Sequence, residues 1–143
     1  MVKQHNCLVE ITNKTQFSMS YMEEWYNSGR LADGFSWPKT INAGEHQKVL
    51  NYERDWSMAG CSGYVTYKMN NTKVTIAFSN PSAGVNKLGV GTGGMKVWDY
   101  MDNHRYQGFT EKINCPDGVI LSCHCECTGG NTNTSSVYLA EMN

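Results

Sequence analysis

Within nine residues the chain crowds Trp98, Tyr100, His104 and Tyr106 together with Asp99, Asp102 and Arg105. Rings interleaved with charges equip a surface for recognition. Aromatic rings stack on a sugar or a headgroup, while the charged side chains bond hydroxyls. The plainer reading is that Trp98 and Tyr100 only cover a core, as amphipathic aromatics do. Ser79-Asn80-Pro81 and the glycine-rich run from Gly84 to Gly94 have a plain reading, since Gly and Pro suit any exposed turn. Trp25 and Tyr26 form a further aromatic pair whose default reading is core packing.

Other chemistries fit less well. Gly89, Gly91, Gly93 and Gly94 suggest a phosphate loop, but that loop needs Gly-Lys-Ser/Thr opening a helix, and Lys96 is followed by Val97-Trp98. Cys123-His124-Cys125-Glu126-Cys127 has zinc-ligand types, yet on a strand His124 points away from the cysteines. The same alternation separates a Cys/His nucleophile pair. Nothing resembles an acid–base pair, so a non-enzyme is expected, with no cofactor and no metal. Asn13-Lys14-Thr15, Asn70-Asn71-Thr72 and Asn133-Thr134-Ser135 fit the glycosylation pattern incidentally.

The 12 basic and 13 acidic residues nearly cancel. Nucleic-acid binding needs a dense basic face, so it is excluded as an expectation. A surface built largely of Asn, Ser, Thr and Gly suits neutral hydrogen-bonding partners instead. Mean hydropathy is -0.50, and no apolar run approaches the ~20 residues of a membrane span. Met1-Val2-Lys3-Gln4-His5-Asn6 lacks the apolar stretch of a secretory signal. The expectation is a cytoplasmic protein, or one released without a classical signal peptide and acting at target cell surfaces. Cys123, Cys125 and Cys127 share a strand face with Val119 and Leu121. Neighbours there stand roughly 6.5–7 Å apart, too far for comfortable bridging. The six cysteines are therefore expected to be mostly buried thiols.

These residues need elements to hold them. Gly63–Met69 and Lys73–Phe78 alternate with period two around the turn Asn70-Asn71-Thr72, a strong hairpin signal. Alternation also marks strands at Cys7–Thr12, Phe17–Met22, Lys48–Tyr52, Val119–Cys127 and Ser136–Glu141, with short ones near Lys39–Ile41 and Met95–Trp98. Asp99–Gln107 suits a short helix. Many short strands punctuated by turns predict one all-β domain over residues 1–143, a β-sandwich with one or two short helices.

The hairpin, closing on Phe78-Ser79-Asn80-Pro81, resembles the centre of the actinoporin-like β-sandwiches, the group of sphingomyelin-binding cytolysins and, more loosely, fungal fruit-body lectins. Trp25-Tyr26-Asn27-Ser28-Gly29 is similar to the Tyr-x-x-Ser-Gly element of that group, with Trp25 at the tyrosine position. Pro38 and the turn at Gly44, then Arg54-Asp55, Ala59-Gly60 and Gly63, and the closing Val137-Tyr138-Leu139 extend the likeness. The resemblance implies an actinoporin-like fold and a phosphocholine pocket formed by the Ser-x-Pro corner and tyrosines on a nearby helix. On this chain that pocket falls to Ser79, Pro81, Trp98, Tyr100 and Tyr106. Two parts of the cytolysin pattern are missing: the loop Ser82–Gly91 has no aromatic residue, and only six residues precede Cys7, where the pore-forming relatives carry an amphipathic helix. The implied function is lectin-like recognition of glycans or phosphocholine and sphingomyelin headgroups, with peripheral membrane contact. A pore-forming cytolysin is the alternative. Homo-oligomerisation is left open, and would give weak single sites avidity.

Overall fold

The computed structural model describes residues 4–103 and 107–142. Eleven strands and one helix follow in order: β1 (Asn6–Asn13), β2 (Met19–Ser28), β3 (Arg30–Leu31), β4 (Thr40–Ile41), β5 (His46–Tyr52), β6 (Gly60–Met69), β7 (Thr72–Pro81), β8 (Lys87–Gly91), α1 (Met95–Asp102), β9 (Gly108–Asn114), β10 (Ile120–Cys127) and β11 (Thr132–Glu141). They build two sheets face to face. One runs β3-β5-β1-β11-β10-β9, the other β4-β2-β6-β7-β8. This is the expected all-β sandwich. No helix among the described residues is long and apolar enough to cross a membrane.

The alternation seen in the sequence is the alternation of burial. Along β1, Cys7, Val9, Ile11 and Asn13 point inward, and Cys123 and Cys125 do the same on β10. These meet Val65, Tyr67, Ile76 and Phe78 from the other sheet. The β6–β7 hairpin turns on Asn70 and Asn71, both left-handed (φ 47 and 56), as a two-residue hairpin loop demands. Its strands are buried on both faces, because α1 covers the outer one: Val97 and Met101, one turn apart, pack on Tyr64 and Ala77.

That helix corrects the sequence reading, which put a strand at Met95–Trp98 and a helix after it. The Val97/Met101 stripe, once it finds the sheet, outweighs the modest propensity of its neighbours. Strands β8 and β9 were not expected at all. Gly89 hides β8, and the helix explains that glycine: a Cβ there would stand 2.8 Å from Met101 Cβ. Strand β2 also runs further than expected. A register shift after Tyr21 sets Trp25 opposite Tyr64 and Tyr26 opposite Gly63, and a second shift follows Tyr26.

Side-chain amides fasten the layers. Asn133 on β11 donates to the carbonyls of Ser79 (2.9 Å) and Lys87 (3.0 Å) in the opposite sheet. Asn80 on β7 reaches back to Asn6 and Asn131 (3.0 and 2.9 Å). Tyr26 donates to Asn51, which in turn donates to Cys7 O. Asn133→Leu keeps the volume but strands two buried carbonyls, each costing ~1–3 kcal/mol. We expect chemical denaturation to show a loss of roughly 2–4 kcal/mol with an unchanged m-value.

All six cysteines are free thiols. Burial pushes the Cys123 thiol from 9.0 up to about 12, helped by the charges of Glu111 and Cys115. Cys7 and Cys125 are likewise raised, chiefly by burial. A group with a raised folded pKa stabilises below its unfolded value and loses that contribution as pH climbs towards the folded one. The melting temperature should therefore fall above pH ~9, each such thiol adding up to ~1.4 kcal/mol per pH unit. Cys123→Ala should shallow that slope between pH 9 and 10, measured by thermal unfolding.

Candidate functional site

On the outer face of the five-stranded sheet, Ser79 and Ser62 stand side by side on β7 and β6. Trp98 on α1 reaches across to them, its indole N–H donating to Ser62 Oγ at 2.9 Å. Trp25 packs edge-on against Trp98 (5.1 Å, 78°) and tilted against Tyr64 (5.7 Å, 31°). Burial, then the charge of Glu23, raises the Tyr64 hydroxyl. Ser79 is only 2% exposed. Sequence alone did not place Trp25 beside Trp98; the β2 register shift does. Tyr26 goes the other way, onto Phe78 in the core (6.1 Å). Two of the five candidates, Ser79 and Trp98, thus both adjoin Ser62, the first as its strand partner and the second as its hydrogen-bond donor.

The remaining candidates diverge. Tyr100 lies two residues past Trp98, about 200° around the helix. It is 58% exposed and lines a separate groove with Lys96, Phe109 and Glu111. Tyr106 lies outside the described residues, as do His104 and Arg105. Pro81 continues the Ser79 face of β7 and opens onto a cleft of 320 Å³ at the end of the sandwich.

That cleft is walled by Asn80, Pro81, Asn86, His5, Gln107 and Asn131. Its character is neutral and hydrogen-bonding. Asn86 pins the two loops around it, donating to Thr128 O (2.7 Å) and Gly130 O (3.1 Å). His5 Nδ1 lies 2.9 Å from Glu53 Oε2. Cys123 and Cys125 are buried while His124 is exposed and bonded to Glu126. No group of three or more His, Cys, Asp or Glu among the described residues is placed to hold a metal.

Beside the cleft stands a feature the sequence reading passed over. Trp56 and Met58, on the loop between β5 and β6, are 86% and 81% exposed. Both have left-handed backbone (φ 63 and 54). A turn closed by Ser57 on Arg54 O, through its N–H (3.2 Å) and its hydroxyl (2.9 Å), presents them outward. Both ends of the loop are tied to the cleft. Glu53 N–H donates to His5 O at 3.1 Å, and Gly60 pairs with Pro81 so closely that a Cβ there would stand 2.6 Å from Asn80 O. The available signal was a tryptophan between Asp55 and Ser57 with no period-two neighbours.

No family model and no curated protein sequence matches this chain. Solved structures do. The lipid-binding protein Nakanori superposes with a TM-score of 0.79 at 16% identity, over 97% of this chain and 72% of that one. RahU, solved with a Tris molecule, gives 0.63 at 13% identity over 99% and 98%. The lectin XCL of Xerocomus chrysenteron gives 0.60 at 12% identity over 94% and 98%. At such identities the shared property is the architecture, and the chain has the actinoporin-like β-sandwich fold.

Proposed function

We propose that this chain is a non-enzymatic recognition module that docks the loop end of its sandwich on membrane surfaces and takes a lipid headgroup in the cleft beside Pro81. The observation that carries this reading is the exposed pair Trp56 and Met58 on a loop tied at both ends to the cleft wall. Tryptophan favours the membrane–water interface, where its apolar body is buried and its N–H stays wet. The cleft then faces the headgroup layer, and its neutral donors and acceptors suit the esters and hydroxyls found there. Nakanori, of the same fold, is described as lipid-binding, which supports the reading. The cytolysins' aromatic loop is absent after Pro81; the β5–β6 loop takes its place.

A glycan is the second reading. It is favoured by the Asn and Gln lining of the cleft, which matches sugar hydroxyls, and by the lectin of the same fold.

Cosedimentation with liposomes, with and without sphingomyelin, run beside a glycan array, separates the two. We expect pelleting with lipid. A fully buried apolar side chain is worth ~1.5–3 kcal/mol, so Trp56→Ala should weaken binding by roughly 10- to 100-fold. Glycan hits with no pelleting would replace the membrane reading by the sugar one. Dye release tests the cytolysin alternative: a pore-former would cause leakage, whereas this module is expected to bind without it. Trp98→Phe, which removes the indole donor to Ser62, should instead lower stability by ~1 kcal/mol and leave binding unchanged. Weakened binding with unchanged stability would return Trp98 to the ligand site.

A further inference from the structure

Among the described residues, one sulfur-bearing side chain stands much further into solvent than the rest. Met58 is 81% exposed, whereas Met22, Met95 and Met142 reach 41% at most and Met19, Met69 and Met101 are buried. The thiols are withdrawn as well. Five of the six cysteines are buried and the sixth, Cys127, is half-buried. Burial above all raises the thiols of Cys7, Cys123, Cys125 and Cys127, so the thiolate through which peroxide attacks cysteine is scarce there. A thioether has no proton to lose, and its oxidation follows access alone.

A single exposed methionine is ordinary. Its setting here is not. Met58 and Trp56 both hold left-handed backbone, which a residue with a Cβ adopts only under strain. Ser57 between them closes the turn on Arg54 O, and its hydroxyl also receives the Ala59 N–H at 3.4 Å. The strained turn aims two apolar side chains outward beside the polar cleft and leaves both nearly bare. Docking asks only for apolar area, which leucine supplies as well. The thioether adds a second property, reversible oxidation.

We propose that Met58 is a redox-modification site, whose oxidation by hydrogen peroxide to the sulfoxide weakens docking of the loop on membranes. The inference rests on the membrane reading above. A sulfur lone pair attacks one peroxide oxygen and the O–O bond breaks. The displaced hydroxide collects the proton left on that oxygen and departs as water. Sulfur loses two electrons, peroxide gains them, and the product carries a strongly polar S=O bond. An apolar side chain that favours the lipid boundary becomes one that must stay hydrated. The thioether lies outside the core, so the fold is untouched. Both sides of the sulfur are open and both sulfoxide epimers form, so the two epimer-specific sulfoxide reductases together reverse the change. Docking and oxidation also oppose each other, because a thioether sunk in lipid is shielded from peroxide.

The test treats the full chain with a limited dose of hydrogen peroxide and follows each methionine by peptide mass spectrometry. Met58 should gain oxygen several-fold faster than Met22, Met95 or Met142, with fragment ions placing it on Met58 rather than Trp56. The oxidised chain should keep its melting temperature. It should bind vesicles of phosphatidylcholine and sphingomyelin about tenfold less tightly in cosedimentation, as loss of one buried apolar side chain implies. Treatment with both reductases should restore pelleting. Met58→Leu, taken against its own untreated baseline, should be insensitive to the same dose, whereas Met58→Gln should bind like the oxidised chain. Vesicles should slow oxidation of Met58 but not of Met142, which follows the far end of β11. Comparable rates at all these methionines, pelleting that survives full oxidation of Met58, a loss the reductases do not reverse, or an equal loss in Met58→Leu would each overturn the inference and leave the docking reading standing. Equal oxidation of Met58 with and without vesicles, despite pelleting, would move docking off this loop and overturn both. An untreated chain that pellets with no vesicle would remove the docking reading and this inference with it.

Discussion

The fold depends on a few buried asparagine amides that cross between its two sheets. Apolar packing brings the layers together without direction, and many small sandwich registers would satisfy it. Asn133, Asn80 and Asn51 are each bonded to backbone or side chain across the gap, so a slip of one residue would leave several buried polar groups without partners. The amides turn a generic hydrophobic contact into one alignment. They are also concentrated towards one end: Asn80 and Asn86 both reach the β10–β11 turn through Gly130 O. The loops at that end therefore inherit the rigidity of the core.

This is why the Trp56 loop can serve as more than a loose tip. A floating exposed tryptophan would lose conformational freedom on docking and offset part of its own gain. Here the loop starts at Glu53 against His5 and ends at Gly60 against Pro81, both set on the asparagine-fastened frame. The apolar group and the polar cleft are presented in a fixed relation, the arrangement an interfacial binder needs.

The legible part of the sequence was whatever period two could report. Strands β1, β5 and β10 showed as alternation because each has one face in the core, and the hairpin showed through its Asn turn and alternating residue types although α1 buries its outer face too. Strands β8 and β9 were not legible, the first because its glycines serve the helix rather than a strand pattern, the second because most of β9 is exposed. The helix was misplaced because its two buried residues, Val97 and Met101, straddle the boundary drawn between strand and helix. The candidate site fared differently. Ser79 and Trp98 do converge, through Ser62, but the register shift that carries Trp25 to them leaves no local trace in the residues around it. Trp56 was overlooked for the opposite reason: its meaning lies in the absence of anything packed on it, and only the structure reveals exposure.

Helix α1 divides the chemistry of this face into two. Its Trp98 side is knitted to the sheet by an indole hydrogen bond and a ring contact with Trp25, which itself packs on Tyr64, so those aromatic groups are engaged in holding the helix. Its Tyr100 side borders a groove lined by residues of β8 and β9, the strands at which the two sheets end. A helix placed over a sheet edge must leave such a groove unless large side chains fill it, and this chain puts glycines there. Gly91 is more than a gap, since a Cβ would come within 3.2 Å of Val97 Cγ2 and make that side chain give by a few tenths of an ångström. The same small residues that let α1 sit close to β8 therefore keep the groove open.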